Sequence, residues 1–185
     1  MPVSEGPPEA ITKRDSSPMT AETHLLFAGR KGKDGSFEVC DEAGTRVAAT
    51  TRRRTLLTAE DHLGRQLLRA ERGRNRRWWT ATDSNGETLV QLRQPKFHPW
   101  PQATLRDGTV TASYDGPRSL STRWEFLGSD GEVLLTSEPH NTGLFNKPWL
   151  VRSSGVLTLA EVVAVVEMHR LNVVTQQAAS STGSV

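Results

Sequence analysis

Basic residues gather in three stretches of this sequence: Arg52-Arg53-Arg54; the series Arg69, Arg72, Arg74, Arg76 and Arg77 running into Trp78-Trp79; and Lys96-Phe97-His98-Pro99-Trp100. A guanidinium pairs a phosphate bidentately and an amphipathic indole settles at a water–lipid boundary, so the mixture suits an anionic surface. Residues 46–106 hold 13 Lys and Arg against 5 Asp and Glu, a local +8 in a chain of total +2, which leaves −6 for the remainder. The candidate headgroup-binding residues are Arg52, Arg53, Arg54, Arg72, Arg74, Arg76, Arg77, Trp78, Lys96 and Trp100. The competing reading is a solvated outer face, with arginines on alternate strand positions and one of Trp78 and Trp79 turned inward.

Other chemistry is thinly represented. His24, His62, His98, His140 and His169 stand apart from one another, and no GxSxG elbow, HExxH pair or Gly-rich phosphate loop occurs. The single Cys40 excludes an internal disulfide, and no CxxC or Cys/His spacing offers a zinc site. Beside Asp41 and without an adjacent cation in the sequence, Cys40 reads as a small structural residue. Asp83-Ser-Asn-Gly-Glu87 resembles a calcium loop, yet its glycine falls at the fourth position and the twelfth is Gln94, so it reads as a hairpin turn. No catalytic residue, metal or cofactor is expected. Nucleic-acid binding is not expected either, because neither an RNA-binding signature nor a recognition helix accompanies the charge.

The elements that must position the arginines are strands. Acidic or polar residues precede glycines at Asp41-Glu-Ala-Gly44, Glu60-Asp-His-Leu-Gly64, Asp83-Ser-Asn-Gly86, Asp107-Gly108 and Ser129-Asp130-Gly131, with successive glycines 20, 22, 22 and 23 residues apart. Such residues tolerate the positive φ of tight hairpins, and the spacing fits two strands and two turns. Val110, Ala112 and Tyr114 alternate with Thr109, Thr111 and Ser113, and Trp124 and Phe126 with Arg123 and Glu125, the period of half-buried strands. Twelve short antiparallel strands follow, from His24–Arg30 to Pro148–Ser153 and including Arg46–Thr50 and Thr55–Thr58. Asn141-Thr-Gly-Leu-Phe-Asn-Lys-Pro148 is a longer loop before the last strand and could line a barrel mouth.

From Leu157 the pattern changes to LTLAEVVAVVEMHRLNVV, with Thr158 and Glu161 spaced as a capping box. Apolar residues occupy every face of this helix, so it suits burial within a closed sheet. A membrane span is the weaker reading, since Glu161, Glu167, His169, Arg170 and Asn172 interrupt it. Glu167 must then reach a mouth or find a partner. The organisation is a disordered tail at 1–22, a barrel at 23–175 with its helix at about 157–175, and a second disordered tail at 176–185. No export signal is read before the strands, so a cytoplasmic chain is expected, with peripheral contact to membranes under the headgroup reading; a monomer is the expected state.

Twelve antiparallel strands ending in one wholly apolar helix resemble the tubby-like superfamily of tubby proteins, phospholipid scramblases and LURP-one-related proteins. Units such as Phe37-Glu-Val-Cys-Asp-Glu-Ala-Gly-Thr-Arg-Val47 and Trp124-Glu-Phe-Leu-Gly-Ser-Asp-Gly-Glu-Val133, with the helix after Trp149-Leu-Val151, look most like the LURP-one-related branch. The resemblance covers residues 24–175. It implies a mainly β fold, a closed barrel around a central helix, with lipid-headgroup or phosphoinositide association. No acidic calcium-binding segment of the scramblase kind and no Cys-rich palmitoylation segment is present. The expected function is non-enzymatic association with anionic phospholipid or phosphoinositide headgroups; the alternative is a soluble scaffold or protein-interaction module.

Overall fold

The computed structural model describes residues 22–29, 36–53, 55–74, 78–94, 101–106, 108–114, 123–139 and 148–181. The segment 1–21 and most of the loop Asn141–Pro148, read above as a tail and a mouth lining, lie outside these residues. The strands are β1 (Thr23–Gly29), β2 (Phe37–Cys40), β3 (Arg46–Arg53), β4 (Leu56–Asp61), β5 (Gln66–Arg72), β6 (Trp78–Thr82), β7 (Thr88–Arg93), β8 (Gln102–Leu105), β9 (Gly108–Tyr114), β10 (Trp124–Leu127), β11 (Val133–Pro139) and β12 (Trp149–Ser153), followed by helix α1 (Leu159–Ser181). Each strand pairs antiparallel with its neighbours in the chain, and β1 also pairs with β12 through Leu25 and Val151, so the ladder closes into a barrel.

Alternation decides what faces inward. On β6 the buried residues are Trp79 and Ala81, on β4 Leu57, Ala59 and Asp61, and on β10 Trp124 and Phe126. Alanine recurs on this inner face: Ala48, Ala59, Ala70, Ala81 and Ala103 are all fully buried. Side chains that short leave the barrel axis open, and α1 fills it. Val162 through His169 are buried without interruption, which at 100° per residue covers every side of the helix. Its backbone comes nearest to β5 and β7. Glu161 N donates to Thr158 Oγ1 at 3.3 Å and Thr158 N donates to Glu161 Oε2 at 2.9 Å, the two halves of the capping box.

Two boundaries need correction. The helix continues to Ser181, into the segment 176–185 read as a tail, because Gln176-Gln-Ala-Ala179 are good helix formers that prolong an existing helix at little cost. The third and fourth strands are longer than Arg46–Thr50 and Thr55–Thr58, since the cross-strand pairs Arg52↔Leu57 and Arg53↔Leu56 carry β3 on to Arg53 and the pairs Ala49↔Glu60 and Ala48↔Asp61 carry β4 on to Asp61. Among the described residues no helix is long and apolar enough to cross a membrane.

The tight turns share one device. Oδ1 of Asp41, Asp61 and Asp83 accepts a hydrogen bond from the backbone N–H four residues on, at Thr45, Arg65 and Glu87 (2.8, 2.9 and 2.9 Å). Gly44, Gly64 and Gly86 then take φ of +77°, +79° and +82°, where a Cβ would be strained. Gly108 is different: it opens β9 opposite Leu105 without positive φ, because a two-residue link closes that hairpin. In an up-and-down sheet every second connector emerges at the same end. All these turns and the start of α1 therefore share one end of the barrel, and the last turns of α1 leave at the other.

Candidate functional site

That topology sorts the charge. In the sequence, the connectors joining strands at the turn end carry Asp41, Glu42, Asp83, Glu87, Asp107, Asp130 and Glu132 against Arg65 and Arg106. The intervening stretches that join strands on the other side of the topology hold, in the sequence, 11 Lys and Arg against Asp34 and Asp115, of which Arg74 and Arg123 are among the described residues. The ends of β3, β5 and β7 and the start of β6 bring Arg52, Arg53, Arg72, Arg93, Trp78 and Trp79 to this same rim.

Along the barrel wall, cations meet carboxylates: Arg69 pairs with Glu71 at 2.6 Å, Arg106 with Glu87 at 2.7 Å, Arg123 with Glu125 at 3.0 Å and Arg152 with Glu138 at 3.2 Å. Arg53, Arg74 and Arg93, all exposed, have no carboxylate partner among the described residues. Arg93 lies over the ring of half-buried Trp78, its guanidinium carbon 4.6 Å from the centroid, as their register across β6 and β7 requires. Arg72, on the inward register of β5, sits 5.8 Å over the buried Trp79. Of the residues singled out in the sequence, Arg52, Arg53, Arg72, Arg74 and Trp78 thus share one rim, while Arg54, Arg76, Arg77, Lys96 and Trp100 lie outside the described residues. Arg93 escaped the sequence reading because its pairing with Trp78 depends on a register shift between Ala81 and Thr82; the register next to the turn, Thr82↔Thr88, continued without it, would set Trp78 opposite Leu92.

Inside the mouth the helix adds what spacing along the sequence does not show. Glu167 is wholly buried, and its Oε2 accepts from Arg170 Nη2 at 2.8 Å, which supplies the partner that a buried carboxylate requires. Burial pushes its carboxyl up, and Arg170 and Arg52 pull it back down. The Arg170 guanidinium stacks on Phe37 at 3.9 Å. Arg52, half-buried on the inward register of β3, has its pKa lowered by burial and by the repulsion of Arg170, with attraction from Glu167 opposing both. One residue before Arg170, His169 is enclosed by Trp124, 4.0 Å away, and Phe126, 5.3 Å away, and burial pushes its pKa down to about 3. It is therefore neutral at physiological pH. Cys40, half-buried, has its thiol pushed up by burial and by Glu38 and Asp41, which keeps it protonated. Among the described residues no three His, Cys, Asp or Glu side chains gather as a metal site.

Comparison with known proteins adds the fold. No family model matches the chain and no curated protein matches it. Among solved structures it is similar to the X-ray structure of a protein from Arabidopsis thaliana, with a TM-score of 0.58 and 14% sequence identity over 82% of this chain and 91% of that one. The two chains therefore share a mainly β architecture with a C-terminal helix.

Proposed function

We propose that this chain is a non-enzymatic binding protein whose helix-exit rim docks on anionic phospholipid headgroups. The observation that carries the reading is the contrast between wall arginines held by carboxylates and the exposed Arg53, Arg74 and Arg93, which meet none among the described residues and share the rim with half-buried Trp78, over whose ring Arg93 lies. Unpaired cations are free to exchange their hydration for phosphate, and an indole at the same level anchors at the headgroup boundary. The fold likeness suggests the LURP-one-related branch of the tubby-like superfamily, whose tubby members associate with lipid headgroups.

Co-sedimentation with vesicles tests it. Binding to phosphatidylcholine vesicles containing phosphatidylserine, lost at high salt and absent from pure phosphatidylcholine, is the expected result. At about 1 kcal/mol per arginine near an anionic surface, the combined R53Q, R74Q and R93Q variant partitions roughly a hundredfold more weakly. Equal partitioning of variant and parent, or no binding at low salt, overturns the proposal. The second reading, a protein-interaction module, rests on the turn end: a cavity of about 200 Å³ there is lined by Leu105, Val110, Leu134, Val156 and Leu157, with Val156 58% exposed. Salt-insensitive capture of a protein partner without vesicle binding would favour it.

A further inference from the structure

Among the described residues, Oε1 of Glu167 and Nε of Arg170 are buried in the mouth without a hydrogen-bond partner. Their side chains are 0% and 14% exposed, so bulk water does not satisfy them, and a buried donor or acceptor left without a partner is costly. Arg170 has one guanidinium face on Phe37 and one nitrogen, Nη2, committed to Glu167, which leaves its Nε–H donor idle. Arg52 reaches the same place from the inward register of β3, near enough to be repelled by Arg170 and attracted by Glu167. It has no ion pair of its own among the described residues. Two guanidiniums therefore share one carboxylate, and a positive charge is left uncompensated where water is scarce.

We propose that Arg52 and Arg170 form a subsite for a single phosphoryl group, which bridges the two guanidiniums by accepting from Arg52 and from the Nε–H of Arg170 while Glu167 keeps its hold on Nη2. A phosphate monoester fits better than another carboxylate for two reasons. It carries up to two negative charges against the one that Glu167 supplies, and its three terminal oxygens can accept from both forks, the idle Nε–H included. The subsite goes beyond the rim reading: it is made of half-buried side chains within the mouth, and it needs no membrane to fill it.

Titration calorimetry of the full chain with glycerol 3-phosphate, and binding to phosphatidylcholine vesicles carrying phosphatidic acid, test both sources of a phosphate monoester. Saturable binding of one ligand per chain is expected in at least one arm. Binding in solution identifies a soluble ester, and binding only to phosphatidic acid identifies a headgroup. Glu167→Gln removes the neighbouring negative charge and tightens binding about tenfold, whereas Arg52→Gln removes one fork and weakens it about tenfold or more. Replacing Arg170 would strand a buried carboxylate, so Arg52→Lys serves as the second variant; a point charge without the fork gives intermediate affinity. The Arg106→Gln variant, altered at the turn end, binds as the parent does. No saturable response in either arm, or equal affinity in the parent and Arg52→Gln, overturns the subsite. Failure of phosphatidylserine vesicles to bind counts against the rim alone.

Discussion

A histidine enclosed by aromatic rings makes stability depend on pH. The His169 pKa is about 3 in the folded chain against 6.5 when exposed, so the unfolded chain binds more protons between those values. Its contribution is fully present above pH 6.5 and is lost progressively on acidification towards pH 3, at about 1.4 kcal/mol per pH unit. Glu167 acts in the opposite sense. Its raised pKa makes the folded chain the better proton binder, so its contribution is largest below 4.5 and falls as pH rises. Urea denaturation of His169→Phe should show a flatter decline between about pH 6 and pH 4 than the parent, by up to that slope; an unchanged decline would mean that His169 is accessible when folded. The sequence showed only part of this: His169 read as a polar interruption of an apolar helix, while Glu167 was expected to reach a mouth or find a partner, as it does in Arg170. By contrast, alternation alone showed that one of two adjacent tryptophans must point inward, and Trp79 does, at 1% exposure.

For the elements, local rules carried much of the reading because they act over a few residues. The Thr158 and Glu161 capping box is one case, and its hydrogen bonds are those the spacing implies. Thr158→Ala should lower stability by about 1 kcal/mol, read as a shift in the thermal midpoint. The aspartate turns are another, since Asp41, Asp61 and Asp83 each close their own hairpin. Element ends were less legible. The length of β3 is set by its partner β4, and Arg52 faces the mouth only because pairing continues to Arg53. Helix α1 meets the strongest packing demand, with Ala164 fully buried in the middle of the barrel. Ala164→Leu should cost about 1–3 kcal/mol through overpacking, whereas the same change on a surface helix would be nearly neutral. Denaturant midpoints that match the parent would show that the barrel breathes enough to accept the added carbons.

The whole molecule is governed by closure and by the sorting of charge, both consequences of topology. Twelve hairpin-linked strands could be counted in the sequence, but the pairing of β1 with β12 joins residues more than a hundred positions apart, such as Leu25 and Val151, and no local signal specifies it. The mouth followed from closure. Arg52, Phe37 and Arg170 meet only once the first strands and the helix share one end of the barrel. Removing α1 should leave an apolar inner face with nothing along the axis to pack against, so residues 1–156 are expected to lack a cooperative unfolding transition and a near-ultraviolet circular dichroism signal. Retention of both would show that the sheet collapses without its helix. There is also a consequence for synthesis. The helix that supplies the core follows all twelve strands in the chain, so a ribosome must release every strand before the axis can be filled. Until then the nascent sheet exposes its apolar face and unpaired edges, the surfaces that chaperones recognise, and translation speed near the end of β12 becomes a determinant of yield.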